Sequence, residues 1–357
     1  MLESLTLNLK QGRTLNGDEV SSAVTALVDE SIAASDKGEF LTALAVKGET
    51  QDEIAHFAVQ LRSLSVTPVL DAATRAGVIL DVCGTGGDRL QTFNISTTVA
   101  LVAAAAGATV AKHGNRAITS RCGSADVLES LGVRIDLDPS EAGEWLCEHR
   151  FAFFFAPKYH PAFRAIAPAR KLCAERGQRT IFNFLGPLLN PTRPTAQLIG
   201  VPRPERCEPI ARVLQSIGVQ RGMVVSGAVP KERQAPDTTA GAWLDELSTM
   251  GDTTIAEFYQ DHALHVSELS AKDFGVGPVQ LGDLAGDDPE TNARIVREIL
   301  GGRERGPRRE AVLLNAAAAL LVAGLVKSLI EGWERAEQII DEGTAHSKLD
   351  ELVSASR

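Results

Sequence analysis

The sequence predicts an α/β protein in which a helical N-terminal layer precedes a larger, mainly parallel sheet. Three observations carry that expectation. An apolar rhythm of three and four residues runs through the first ~70 residues. A strand-like run then enters a glycine loop followed by a long apolar segment, and β-prone runs alternate with helical ones through much of the rest.

The elements follow in order. From Val20, the residues Ala23, Val24, Leu27, Val28 and Ile32 fall on one face of an amphipathic helix. Thr50 and Glu53 form a capping-box pattern ahead of Ile54, Ala55, Val59 and Leu61, so another helix begins at Thr50. Val78 to Val82 reads as a strand that ends in Gly84-Thr85-Gly86-Gly87-Asp88, and a helix starts near Ser96. A second strand, Ala108 to Lys112, ends in His113-Gly114-Asn115-Arg116. Further β-prone runs lie at Phe151 to Phe155, Leu198 to Val201 and Met223 to Val225. Ala311 to Val326 is rich in alanine and leucine and reads as a helix packed on the sheet. Ala228 to Gly241, with Pro230, Lys231, Glu232, Arg233, Pro236 and Asp237, reads as a polar loop. No internal repeat is evident.

Composition narrows the function classes. With 357 residues, 44% hydrophobic and 23% charged, the chain can bury a sizeable core. A net charge of -10 disfavours a nucleic-acid or anionic-membrane surface, while leaving room for a basic pocket inside an acidic shell. The five cysteines, Cys83, Cys122, Cys147, Cys173 and Cys207, are scattered and never spaced as Cys-x-x-Cys. They signal neither a disulfide framework nor a zinc site, and a cytoplasmic setting is expected. Val99 to Val110 and Ala316 to Val326 are too short to span a membrane, and Met1 to Gly12 lacks the pattern of an export signal.

A glycine loop after a strand exposes backbone N–H groups, and the next helix adds its positive N-terminal dipole. Phosphate or pyrophosphate is the natural guest. Neither Gly-Lys-Ser/Thr nor Gly-x-Gly-x-x-Gly is present, which removes support from ATP and dinucleotide readings. A glycine turn also serves purely structural needs. What favours binding is the cluster Thr85, Thr92, Asn94, Ser96 and Thr97, together with Lys112 and Arg116 at the end of the next strand, the edge where α/β sheets gather ligands.

Taken together, Gly84 to Asp88, Asn94-Ile95-Ser96-Thr97, Lys112 to Arg116 and Gly123-Ser124-Ala125-Asp126-Val127-Leu128-Glu129 resemble the anthranilate phosphoribosyltransferases. The likeness continues through Phe155 to Ala162, Arg179 to Asn183, Leu185 to Pro191, Leu244-Asp245-Glu246 and Asp273-Phe274-Gly275. It implies the nucleoside phosphorylase/phosphoribosyltransferase-like fold. In that fold a small helical domain (1–75, with a returning segment near 165–195) accompanies an α/β domain (76–164 and 196–357).

The resemblance also implies roles. Gly84, Gly87, Asp88, Thr92, Asn94, Ile95, Ser96, Thr97, Lys112 and Ser124 would bind phosphoribosyl pyrophosphate, with Asp88 and Lys112 serving catalysis. Gly84, Asn115, His160 and Arg170 would meet anthranilate, and Ser96, Asp245 and Glu246 would serve Mg²⁺. Hard carboxylate and hydroxyl oxygens suit that ion, and a planar guanidinium suits a carboxylate. A homodimer joined through the helical domain is the family expectation, in tryptophan biosynthesis. One departure stands out: Val225-Ser226-Gly227 is followed by the polar loop, which would set Asp245 and Glu246 on a longer, mobile arm. Two rival readings are a nucleoside phosphorylase-like enzyme and a non-catalytic relative that binds nucleic acid or regulates.

Overall fold

The computed structural model describes residues 1–117, 121–234, 242–259 and 263–357. Four helices, Leu2–Lys10, Gly17–Val28, Ala34–Lys47 and Gln51–Ser63, open the chain. The expected cap at Thr50 forms. Its hydroxyl accepts from Glu53 N at 3.2 Å, and the Glu53 carboxylate accepts from Thr50 N at 2.8 Å, satisfying N–H groups that a helix start leaves free. The helix containing Val20 ends at Val28 instead of reaching Ile32. There Asp29 turns the chain by accepting from Ser31 N and Ser31 Oγ at 2.8 and 2.7 Å, a local bond that competes with helix. Phe40, Leu41 and Leu44 share one core with Ile166, Ala169, Cys173, Ile181 and Leu185 from the middle of the chain.

Eight strands make one sheet: β1 (Ile79–Gly84), β2 (Thr109–Gly114), β3 (Phe151–Phe155), β4 (Ala196–Gly200), β5 (Arg221–Val229), β6 (Ala242–Leu244), β7 (Thr253–Tyr259) and β8 (His265–Leu269). Their order is β3-β2-β1-β4-β5-β7-β8, with β6 also on β5. The five from β3 to β5 pair in parallel, as the alternation with helices predicts, and the edge beyond β5 is antiparallel. Side chains alternate across it. Leu80, Val82, Met223 and Val225 join the core that holds the helices Ile95–Ala105 and Pro307–Val322, while Val224 joins the core of the N-terminal helices.

One loop expectation is corrected. Ala228 and Val229 are strand, because β6 supplies them with ladder partners, Trp243 and Ala242. The polar stretch begins at Pro230 and holds a short 3₁₀ turn, Lys231–Arg233; residues 235–241 lie outside the described residues. The chain builds β2 and β3 on one side of β1 and then β4 and β5 on the other. Such a reversal opens a crevice at the carboxyl ends of the central strands.

Candidate active site

β1 ends at Gly84, and the chain turns through Gly86 and Gly87 at φ of 70° and 86°. Glycine alone adopts these angles freely. Just beyond, Asn94 heads the helix Ile95–Ala105, whose first N–H groups and dipole favour an anion. Across these strand ends runs Asp245-Glu246. Three strand glycines, two at strand ends and Gly227 within β5, make room for it: a Cβ at Gly84 would strike the Asp245 carboxylate, at Gly200 the Asp245 carbonyl, and at Gly227 the Glu246 carbonyl. Asp245 Oδ2 accepts from Gly86 N at 2.7 Å, and Glu246 Oε1 accepts from Ser96 N at 3.1 Å. The acidic pair is therefore pinned against the glycine loop and the helix start. The longer, mobile arm expected from the loop length is not what forms, since β6 returns the chain to β5 before Asp245.

Charge is crowded here. Burial, then the Asp88 and Glu246 charges and a hydrogen bond with Asp88, hold the Asp245 carboxyl well above the usual carboxylate range. Burial pushes Glu246 up to about 8, with Lys112 opposing and Asp88 adding. Lys112 is only 1% exposed; its Nζ donates to Val82 O at 2.6 Å and to Ser96 Oγ at 3.4 Å. Glu246 feels the charge of the buried Lys112 ammonium, and Asp88 lies close enough to raise both Asp245 and Glu246; carboxylate oxygens are of the hard type that suits Mg²⁺. Among the described residues no group of three or more His, Cys, Asp or Glu forms a metal cage. Mg²⁺, were it bound here, would take much of its shell from substrate phosphates and water.

The other residues expected to meet phosphate gather around the same crevice. Thr97 Oγ1 is buried without a hydrogen-bond partner. Thr92 bridges to Ala285, and Ile95 is buried in the core, its N–H donating to Phe93 O at 2.7 Å. The Asn94 amide is tied into the protein: its Nδ2 donates to Cys122 O at 3.2 Å and its Oδ1 accepts from Asn292 Nδ2 at 2.9 Å. Ser124 Oγ fills the space a Cβ on Gly114 would take and donates to Asn115 O at 3.3 Å.

A second set of groups begins one residue after Lys112. His113 Nε2 and His160 Nε2 lie 3.2 Å apart, the His160 ring stacks on Phe163 at 5.1 Å, and Phe163 meets Phe182 edge-on at 5.6 Å. The Arg170 guanidinium sits 5.2 Å from the Phe182 centroid. Burial depresses Arg170, and among the described residues no carboxylate pairs with it. Burial also holds His113 and His160 neutral, at about 3 and about 4. Asn115 is exposed, its Oδ1 accepting from Arg116 N at 2.8 Å.

Sequence reasoning missed the supports of this arrangement. Asp81, fully buried in β1, accepts from His113 N at 3.3 Å and from Asn190 Nδ2 at 2.9 Å, and Asn190 Nδ2 also donates to Ala111 O at 2.7 Å. Burial raises Asp81 to about 6, against the Asn190 hydrogen bond and the Lys112 charge. A lone acid inside an apolar strand was the available signal.

A helical bundle joined to an α/β sheet, with a glycine-and-acid seat at the sheet's switch point, defines an enzyme of the glycosyl-transfer class. Residues 4–65 match the glycosyl transferase family helical bundle domain, and residues 76–346 match its a/b domain. The chain is 43% identical to the anthranilate phosphoribosyltransferase of Roseiflexus castenholzii, over 98% of this chain and 97% of that one. The crystal structure of anthranilate phosphoribosyltransferase from Thermus thermophilus superposes with a TM-score of 0.85 at 36% identity, covering 99% of both chains. The Saccharomyces cerevisiae enzyme in complex with phosphoribosyl pyrophosphate and Mg gives 0.84 at 26% identity, covering 99% and 97%. The chain belongs to the anthranilate phosphoribosyltransferase family.

Proposed function

We propose that this protein transfers the phosphoribosyl group of 5-phosphoribosyl 1-pyrophosphate to the amine of anthranilate, giving N-(5-phosphoribosyl)anthranilate and pyrophosphate in tryptophan biosynthesis. The observation that carries the reading is the meeting of two unlike sites at the end of β2: an anion seat with crowded carboxyls, and an aromatic row that leads to a guanidinium with no carboxylate partner among the described residues. The names of the relatives favour a transferase over a nucleoside phosphorylase or a regulator.

In this reading Gly84, Gly87, Asp88, Thr92, Asn94, Ile95, Ser96, Thr97 and Ser124 cradle the donor, and Lys112 sets a positive charge beneath it. Arg170 takes the anthranilate carboxylate through its fork, and His160, Asn115 and Gly84 border the ring and amine. Ser96, Asp245 and Glu246 carry Mg²⁺, which neutralises the leaving pyrophosphate when bound with the donor. The amine nitrogen bonds to the anomeric carbon as the bond to pyrophosphate breaks; pyrophosphate leaves with the electron pair, and the nitrogen then loses a proton to water. An aromatic amine is already unprotonated at neutral pH, so the protein contributes mainly orientation and charge.

Also proposed are a helical domain of 1–75 with a returning segment near 165–195, a homodimer, and a cytoplasmic setting without nucleic-acid or membrane partners. Lys37 Nζ, donating to Ala165 O at 3.0 Å, and Cys173 Sγ, donating to Gly38 O at 3.5 Å, tie the returning segment to the third N-terminal helix and support the first. The test of the activity is the loss of anthranilate fluorescence. It should require both phosphoribosyl pyrophosphate and Mg²⁺, and fluorescence unchanged with all three present would refute the proposal.

A further inference from the structure

The helix Pro307–Val322 is alanine- and leucine-rich and buried along most of its length, yet it carries one amide, Asn315, with no exposure at all. Its Oδ1 accepts from Leu247 N at 2.9 Å, and its Nδ2 donates to Leu247 O at 3.0 Å and to Ala311 O at 2.9 Å. Both amide atoms thus grip the backbone of one residue, the one that follows Glu246. Leu247 lies in no strand, so no ladder holds its N–H and C=O, and without Asn315 these buried groups would stand unpaired.

The neighbouring residue is fastened too. Ser248 N donates to Thr253 Oγ1 at 2.9 Å, and Ser248 Oγ donates to Ala228 O at 2.7 Å. On the other side, the glycine seat of β1, β4 and β5 leaves no spare volume under Asp245 and Glu246. A backbone clamped immediately after the acidic pair, over a floor that cannot yield, fixes where both carboxylates point.

We propose that Asn315 is a positioning residue for the metal-bearing carboxylates: it sets Asp245 and Glu246 by clamping the Leu247 backbone, and touches neither substrate nor ion. The inference rests on the reading that this pair carries Mg²⁺. Groups that orient metal ligands commonly change metal affinity by about 10- to 100-fold when removed, and the glycine floor limits how far this backbone can drift.

The main readout is binding, with the KM for anthranilate as a control. Binding of phosphoribosyl pyrophosphate is titrated calorimetrically at a series of Mg²⁺ concentrations, without anthranilate, for four proteins: unmodified, Asn315→Leu, Asn315→Asp, and Asp245→Asn combined with Glu246→Gln. Asn315→Leu should raise the Mg²⁺ midpoint about tenfold, while the KM for anthranilate at saturating Mg²⁺ stays unchanged. Asn315→Asp keeps an acceptor for Leu247 N–H and should shift the midpoint less; it also serves where Asn315→Leu does not fold. An unmoved midpoint in the paired carboxylate variant would overturn the magnesium reading itself. A shifted midpoint there, with none in either Asn315 variant, would overturn the positioning role alone, as would an equal loss of anthranilate affinity.

Discussion

Around the end of β1 lie a glycine loop, a helix start and two carboxyls that accept from their backbone N–H groups. Beyond the end of β2 lie rings in edge and stacked contact, with a guanidinium that has no anionic partner among the described residues. The two halves meet at adjacent residues, Lys112 and His113. The first half is polar and over-determined: each carboxylate of the pair accepts from a named backbone N–H. The second is apolar and leaves one charge unbalanced. A polyanionic donor and a flat aromatic acid ask for just these two kinds of surface, and the contrast shows how one strand end can serve both.

If the halves are distinct, substitutions should separate them. The largest effect is expected at the junction. Lys112→Met removes a buried cation beside Glu246, and kcat/KM should fall by about 100- to 1,000-fold, measured with both substrates varied. A loss confined to the anthranilate KM would break the division. Next comes Arg170→Ala. Losing charge-assisted hydrogen bonds of about 1.5–3 kcal/mol should raise the anthranilate KM roughly 10- to 100-fold, with the donor KM unchanged. Arg170→Lys, which keeps the charge and loses the fork, should fall between.

The histidine pair gives a stability test of the apolar half. His113 and His160 titrate lower in the folded protein than in the unfolded chain, so the unfolded state binds protons that the folded state refuses. Stability is then complete above pH ~6.5 and declines as pH falls toward about 4, by roughly 3 kcal/mol for His160. Thermal melts across that range should show the loss, and a His113→Asn and His160→Asn double variant should flatten it. Retention of the full slope would place the pH dependence elsewhere. The smallest effect belongs to Asn115→Ala. Asn115 is exposed, and its loss should weaken anthranilate binding by about 0.5–1.5 kcal/mol while donor binding holds. The reverse pattern in a direct titration would move Asn115 to the donor half.

The residues proposed to meet the donor stand out in the sequence because they are contiguous. Gly84 to Asp88, Asn94 to Thr97 and Lys112 each lie within a strand–loop–helix unit, where local rules for glycine loops and helix starts apply. The residues proposed to meet anthranilate stand out in the sequence only singly: Gly84, Asn115, His160 and Arg170. What joins the last two, Phe163 and Phe182, depends on how the middle segment packs, and ring contacts leave no spacing rule. The supports were hidden for a related reason. Gly200 and Gly227 look like ordinary strand glycines until Asp245-Glu246 crosses them. Asn315 looks like a flaw in an apolar helix until Leu247 arrives against it. The Ala228–Gly241 reading failed in part because ladder partners came from the far side of the same loop.

Product analysis tests the central claim most directly. With anthranilate, phosphoribosyl pyrophosphate and Mg²⁺ supplied together, mass spectrometry should find N-(5-phosphoribosyl)anthranilate and pyrophosphate in equal amounts, and neither when any one component is withheld. Ribose 1-phosphate released from a nucleoside and phosphate, with anthranilate untouched, would contradict it.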